Sequence, residues 1–231
     1  MTSPQPRIGV LRFPGACDDR DALWALAALD ADAVFVWHAE RELPDVDAVV
    51  LPGGFSYGDY LRCGAIARFA PAMAAVSEFA ADGGLVLGIC NGFQILCEAG
   101  LLPGVLRRND SLSFICRDVL LTVERTDTPF STRCTMGQSL TIPVKHGEGN
   151  WYADDDLYAE LEERGQILLR YAEPVNGSRN DVAGVINVEG NVMGLMPHPE
   201  HAVDPLLGSA DGAFILSSLV DSARDRALAL V

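Results

Sequence analysis

Apolar runs of strand length alternate with stretches of helical spacing through the first half of the chain, and glycine or proline marks most of the junctions. Ile8 to Phe13, Ala33 to Trp37, Asp47 to Leu51 and Leu85 to Ile89 read as buried strands. Between them, Leu23, Leu26, Ala27 and Leu29 recur at helical spacing to about Ala31, with Asp18 or Asp19 placed to cap the helix. A second helix is expected from about Ile66 to Ala81, stopped by Asp82-Gly83-Gly84. A third is expected from Gly92 to Leu101, broken by Pro103-Gly104. Parallel strands need a long crossover, usually a helix, so this order predicts a parallel sheet with helices on both faces.

Sites in open sheets of this kind lie beyond the carboxyl ends of the strands. Three loops occupy such ends: Pro14 to Asp19, Pro52 to Gly64, and Cys90 to Gly92. The second half changes character. Asp118 to Glu124, Ser139 to Val144, Gln166 to Tyr171, Val182 to Val188 and Val192 to Met196 are short and β-rich, and are expected as an antiparallel extension. The acidic segment Asp154 to Glu163 reads as a solvated helix face, and Ala213 to Val231 as a helical tail. The predicted class is α/β: an open, flavodoxin-like, mostly parallel sheet with an antiparallel β extension.

The 231 residues suit one domain, 1–231, with room for an inserted flap. With 49% apolar and 21% charged residues, the chain is neither disordered nor a disulfide miniprotein. Seventeen basic against 32 acidic residues give a net charge of −15, which argues against a nucleic-acid footprint and against docking on an anionic membrane. Only one base is a lysine, Lys145. Cys17, Cys63, Cys90, Cys97, Cys116 and Cys134 show no CxxC spacing, so a four-cysteine zinc site has no support and no metal is expected. Met1 to Pro6 has no apolar signal region, and no window has 18 uninterrupted apolar residues. A reduced, cytoplasmic protein is expected.

The strongest local signal is Gly88-Ile89-Cys90-Asn91-Gly92, between an apolar strand and a helix. A nucleophile elbow has that context, with glycines where neighbouring backbone comes close. The thiol would sit at a helix N-terminus, where the backbone dipole favours thiolate. A thiolate nucleophile needs a proton donor for its leaving group, and an imidazole needs an orienting acceptor. His198, in Met196-Pro197-His198-Pro199-Glu200, follows an apolar strand, and Glu200 is two residues on. Pro52-Gly53-Gly54 ends another strand; the amides of Gly53 or Gly54, with that of Asn91, would form an oxyanion hole. Cys17 is the rival nucleophile, without the glycine context. Cys97 reads as core packing.

The GxCxGxQ pattern of Gly88, Cys90, Gly92 and Gln94, the upstream Pro52-Gly53-Gly54 and the downstream His198-Pro199-Glu200 resemble the class I (triad) glutamine amidotransferases, over nearly the whole chain. The resemblance implies a Cys90 nucleophile, His198 as acid/base, Glu200 orienting it, and Gln94, Phe55, Ser113 and Phe114 near the bound glutamine. Phe13-Pro14-Gly15, the run from Pro52 to Arg62, Gly64 to Ala67, Arg108-Asn109, Ser111 to Phe114, Thr128-Pro129-Phe130 and Ile142 to Gly149 are similar to one subgroup, the small glutaminase subunits of phosphoribosylformylglycinamidine synthase. That subgroup's Phe-Pro-Gly segment often continues Ser-Asn-Cys-Asp, where this chain has Ala16-Cys17-Asp18. The subgroup implies a large partner subunit that uses ATP and magnesium, and a small bridging subunit. No Walker A motif and no GxGxxG after a strand occurs, so no cofactor is expected in this chain. Tyr57, Tyr60 and Arg62 are expected in a lid and partner contact, His146 at an interface or site rim, His201 as a local hydrogen-bonder, and Arg107-Arg108 as a short basic patch. Two other readings stay open: a glutaminase serving another synthase (imidazole glycerol phosphate or pyridoxal phosphate), and a non-catalytic binding protein on the same fold.

Overall fold

The computed structural model describes residues 5–229. Strands β1 (Arg7–Arg12), β2 (Asp32–Trp37), β3 (Ala48–Leu51) and β4 (Leu85–Ile89) pair in parallel, in the order β2-β1-β3-β4. β3 and β4 are buried at every residue, as a strand covered on both sides requires. Helix α1 (Asp19–Ala28) packs against β1 and β2, α2 (Pro71–Ala81) against β4, and α3 (Asn91–Glu98) against β3 and β4. The expected helix over 66–81 is divided. Ala70 precedes Pro71 and is driven to extended backbone (φ −62°, ψ 141°), so a 3-10 turn over Ala67–Phe69 ends there and α2 starts afresh on the proline.

The second half supplies β5 (Val105–Arg107), β6 (Ile115–Val123), β7 (Ser139–His146), β8 (Asn150–Tyr152), α4 (Asp155–Glu163), β9 (Ile167–Tyr171), β10 (Val182–Ile186), β11 (Val192–Leu195) and α5 (Gly212–Ala229). The nine-stranded sheet runs β2-β1-β3-β4-β11-β10-β9-β6-β7, and β5 and β8 form a separate ribbon that the sequence reading does not contain. From β10 to β7 the pairing is antiparallel, as expected. β11 departs from expectation: it is a fifth parallel strand, in register with β4 from Val192–Val86 to Leu195–Ile89. The turn before it is the cause. Asn187 Oδ1 accepts from the amides of Asn191 (3.0 Å) and Val192 (2.9 Å), reversing the chain. Asn191 Nδ2 then donates to Ala80 O and Gly84 O, both at 2.8 Å, tying the turn to the approach to β4.

Helix α4 carries the expected solvated acidic face and buries Tyr158 and Leu161 on the other, and Asp154 caps it through Leu157 N at 2.9 Å. Asp18 occupies the cap position of α1 but makes no capping hydrogen bond, so the expected cap is a correction; its carboxylate is turned elsewhere. Among the described residues no helix is long and apolar enough to cross a membrane.

Candidate active site

Cys90 sits between the last residue of β4 and the first of α3, at φ 49°, ψ −101°. Few side chains adopt that backbone, and strain of this kind persists only where the surroundings over-determine it. Cys90 N donates to Leu195 O of β11 (2.8 Å), and Gln94 N to Cys90 O (3.1 Å). A Cβ on Gly92 would overlap Leu51 O, and one on Gly88 would lie 2.8 Å from the Gly92 carbonyl carbon, so the elbow closes only with glycine on both sides. The sulfur is thereby set at a helix N-terminus, where the backbone dipole stabilises negative charge.

Because β11 is parallel to β4, its end delivers His198 beside that sulfur. His198 N donates to Pro143 O at 2.8 Å, and the imidazole is buried. Its Nδ1 is 2.6 Å from Glu200 Oε1. Among the described residues Nε2 has no hydrogen-bond partner, and the Cys90 sulfur is its neighbour. Burial alone would lower the basicity of His198. Glu200 and the Cys90 sulfur outweigh it and push the pKa up to about 10. The arrangement thus favours a protonated imidazole beside the Cys90 sulfur, the acid that the leaving group of a cysteine nucleophile requires.

Gly53 lies over this pair: a Cβ there would fall 2.6 Å from His198 Cε1 and collide with Asp18 Oδ2. Among the described residues the amides of Gly53 and Gly54 have no protein acceptor, whereas Gly53 O accepts from Cys17 and Asp18 N at 3.3 Å. Asn91 joins the neighbouring loops, its Oδ1 taking Ser56 N (3.1 Å) and its Nδ2 reaching Gln94 Oε1 (2.9 Å). Gln94 is buried and spends its other end on Glu148 O at 2.6 Å, so both ends of its amide are engaged within the protein. Phe55 and Phe114 face each other, centroids 6.4 Å apart and both half-exposed, with Ser113 exposed beside Phe114.

The lid residues divide. Tyr60 is exposed, but Tyr57 turns inward to His38 Nδ1 (2.6 Å) and Arg62 pairs with Glu98. His146 is not at a rim, which corrects that expectation: it is buried, its Nδ1 3.1 Å from Asn109 Oδ1 and its Nε2 3.5 Å from Asn176 Nδ2. Burial, and then the charge of His198, push it down to about 4, so it is neutral. Arg107 stacks on Tyr152 while Arg108 reaches Glu148 at 3.6 Å, so the two arginines do not act as one patch. Cys17 is exposed; desolvation of its sulfur and the Asp18 carboxylate push its thiol up, away from the nucleophilic form. Burial pushes the Cys97 thiol up as well.

The sequence reading gave Asp18 and Lys145 no place in the site, yet they adjoin it. Asp18 Oδ2 is 3.7 Å from His198 Nδ1, and its Oδ1 takes the Lys145 ammonium and His201 Nε2 (3.3 Å). Asp18, His198, Glu200 and His201 would by composition suit a metal ion, but the Lys145 ammonium already occupies two of them, paired with Asp18 and 3.1 Å from His201 Nε2. The signals were a carboxylate in a strand-end loop and the sole lysine of the chain.

Residues 5–211 match the model of the CobB/CobQ-like glutamine amidotransferase domain. The chain belongs to the glutamine amidotransferase family. Among its relatives in that family, the phosphoribosylformylglycinamidine synthase subunit PurQ of Rubrobacter xylanophilus is 57% identical over 218 residues, covering 94% of this chain and 99% of the relative. The Salinibacter ruber PurQ is 56% identical over 226 residues, covering 93% and 96%. A chain in the structure of PurLQS from Thermotoga maritima superposes with a TM-score of 0.88 at 44% identity, covering 94% and 99%. The glutaminase domain of Trypanosoma brucei CTPS with bound acivicin shares the fold alone: TM-score 0.66 and 16% identity, over 96% and 94% of the two chains.

Proposed function

We propose that the chain, read as one domain over residues 1–231, is the glutaminase subunit of a phosphoribosylformylglycinamidine synthase and acts in the cytoplasm. Cys90 attacks the side-chain amide carbon of glutamine, and the carbonyl oxygen becomes an oxyanion facing the amides of Gly53, Gly54 and Asn91. The C–N bond breaks as His198 gives its proton to the leaving nitrogen, releasing ammonia and a γ-glutamyl thioester. Water then attacks the thioester, His198 takes back a proton, and glutamate leaves from a restored thiolate–imidazolium pair. Glu200 holds the imidazole by Nδ1 throughout, leaving Nε2 toward sulfur and substrate. Phe55, Ser113 and Phe114 border the glutamine, and the 55–64 loop covers it.

The ammonia passes to a large subunit that uses ATP and magnesium to convert formylglycinamide ribonucleotide to formylglycinamidine ribonucleotide in purine synthesis, with a small subunit bridging the two. The PurQ relatives above half identity and the PurLQS match support that division of labour. The observation that carries the chemistry is the register of β11 on β4, which sets the His198–Glu200 pair beside Cys90. The test is peptide mass after treatment with a glutamine-mimicking diazoketone, alone and with the synthase partners. One adduct on Cys90, blocked by excess glutamine, is the expected result; an adduct elsewhere, or none even in the complex, rejects the reading.

A further inference from the structure

A second carboxylate next to a cysteine–histidine–glutamate triad is costly. Asp18 is 2% exposed and faces the same imidazole nitrogen as Glu200, and a buried anion without a function is selected against by its desolvation alone. It does not share a proton with Glu200: burial opposes its charge, but His201, His198 and Lys145 together hold it down to about 2. Its partner is the one lysine in a chain whose other sixteen bases are arginines, brought in by β7 from the far edge of the sheet. An ammonium is a compact point charge that fits beside a buried carboxylate and a histidine where a forked guanidinium would not.

We propose that Asp18 and Lys145 form an outer ion pair that tunes and positions His198, with Asp18 strengthening the imidazole as a base and Lys145 limiting that effect. Resting on the triad reading, the assignment follows from charge. With Cys90 and His198 ionised, three anions (Cys90, Glu200, Asp18) face two cations (His198, Lys145). Without Lys145, two carboxylates would hold the imidazolium proton too tightly for transfer to leaving ammonia. Without Asp18, the imidazolium would lose its proton at lower pH. Gly53 permits the arrangement, because any side chain there would part Asp18 from His198. The other charged or titratable groups around His198 are Glu200 on its own turn; His201, whose Nε2 is 3.7 Å from Glu200 Oε1; Asp21 of α1, 3.5 Å from the same nitrogen; His146 of β7; and Tyr171 of β9, which faces Cys90. All of these stay in place in the variants below.

Asp18 and Lys145 are positioning residues, and the test is the alkaline limb of glutaminase kcat/KM in the assembled complex. Activity on that limb is lost as the imidazolium deprotonates. Asp18→Asn removes a neighbouring anion, so the limb moves down by about one pH unit, a tenfold loss of kcat/KM on the limb, with KM little changed. Lys145→Met removes a cation, so the limb moves up by a similar amount. The double variant Asp18→Asn/Lys145→Met lies between the singles. Limbs that stay put, or that move together, overturn the proposal. Should Asp18→Asn not fold, Lys145→Met decides alone: an upward shift upholds the proposal and a fixed limb refutes it. Proton NMR titration of His198 in the full chain reads the same opposed shifts without turnover. Wild-type inactivity with intact NMR shifts would therefore count against the glutaminase reading and not against the ion pair.

Discussion

Cys90 and its two glycines show how single residues set the chemistry. The elbow holds a non-glycine residue at φ 49° because Gly92 lets α3 start against Leu51 O. Gly92→Ala drives a methyl into that backbone oxygen, which no rotamer can relieve. We expect a loss of about 3 kcal/mol of stability. The diazoketone should then fail to label Cys90, which peptide mass would show; full labelling would mean the elbow tolerates a Cβ. The two buried histidines pull stability in opposite directions with pH. His146 has a folded pKa near 4, below the ordinary 6.5, so its contribution is whole above pH 6.5 and is lost as pH falls toward 4. His198 is raised to about 10, so its contribution is whole below 6.5 and is lost as pH rises toward 10. Stability from these two groups therefore peaks near pH 6.5. Between pH 7 and pH 4.5 the His146 loss outweighs the His198 gain, so denaturant unfolding should show about 1–2 kcal/mol less stability at pH 4.5, and His146→Gln should reduce that difference. An unchanged difference in the variant would assign the acid loss to other groups.

Elements whose own residues carry the signal are legible in the sequence; features defined only by a distant partner are not. Leu85 to Ile89, with stop signals on both sides, was placed residue for residue, and the helix after Cys90 began within one residue of expectation. Val192 to Leu195 was recognised as a strand but not as a parallel one. A four-residue apolar run carries no direction, and the reversal depends on where Asn191 finds carbonyls more than a hundred residues away. For the same reason the three residues of β5 and of β8, which pair only with each other, went unread. The site shared this limit: Cys90, His198 and Glu200 lay in local motifs, whereas Asp18 and Lys145 meet only because β7 folds back onto the turn after β11. The Asn191 side chain tests that account. Asn191→Ala takes the side-chain donor from the buried Gly84 carbonyl and one of two donors from Ala80 O, which Gly83 N still reaches, at a cost of about 1–3 kcal/mol. For a chain of this size, that lowers Tm by about 2–4 °C per kcal/mol. Because β11 carries His198, diazoketone labelling of Cys90 should slow as well. A drop in Tm with labelling at the wild-type rate would mean the turn stabilises the sheet without holding the triad.

At the scale of the whole molecule, the mouth of the site is conspicuously apolar for a chain with net charge −15. Leu61 is 92% exposed, Leu112 80%, Tyr60 73% and Phe114 54%, on two loops joined by the Phe55–Phe114 contact. The first loop is also strained: Tyr57, Asp59 and Leu61 all hold positive φ. Exposed apolar side chains gathered on strained backbone around a catalytic mouth suit a surface that a partner completes, and a synthase subunit receiving ammonia has to dock at that mouth. Tyr60→Ser/Leu61→Asp tests this without harming the fold. Both side chains face solvent, and aspartate tolerates the left-handed backbone of position 61 better than leucine does. The isolated variant should keep its Tm. Its affinity for the synthase partners, measured by calorimetry, should fall at least roughly tenfold, since two apolar anchors are lost and one charge is buried unpaired. Phe35→Ser, at an exposed aromatic on edge strand β2, is the control and should bind as the wild type does. Equal loss in both variants, or none in the first, would place the docking surface away from the mouth. The ammonia would then have to reach the synthase by a path that does not begin at the 55–64 loop.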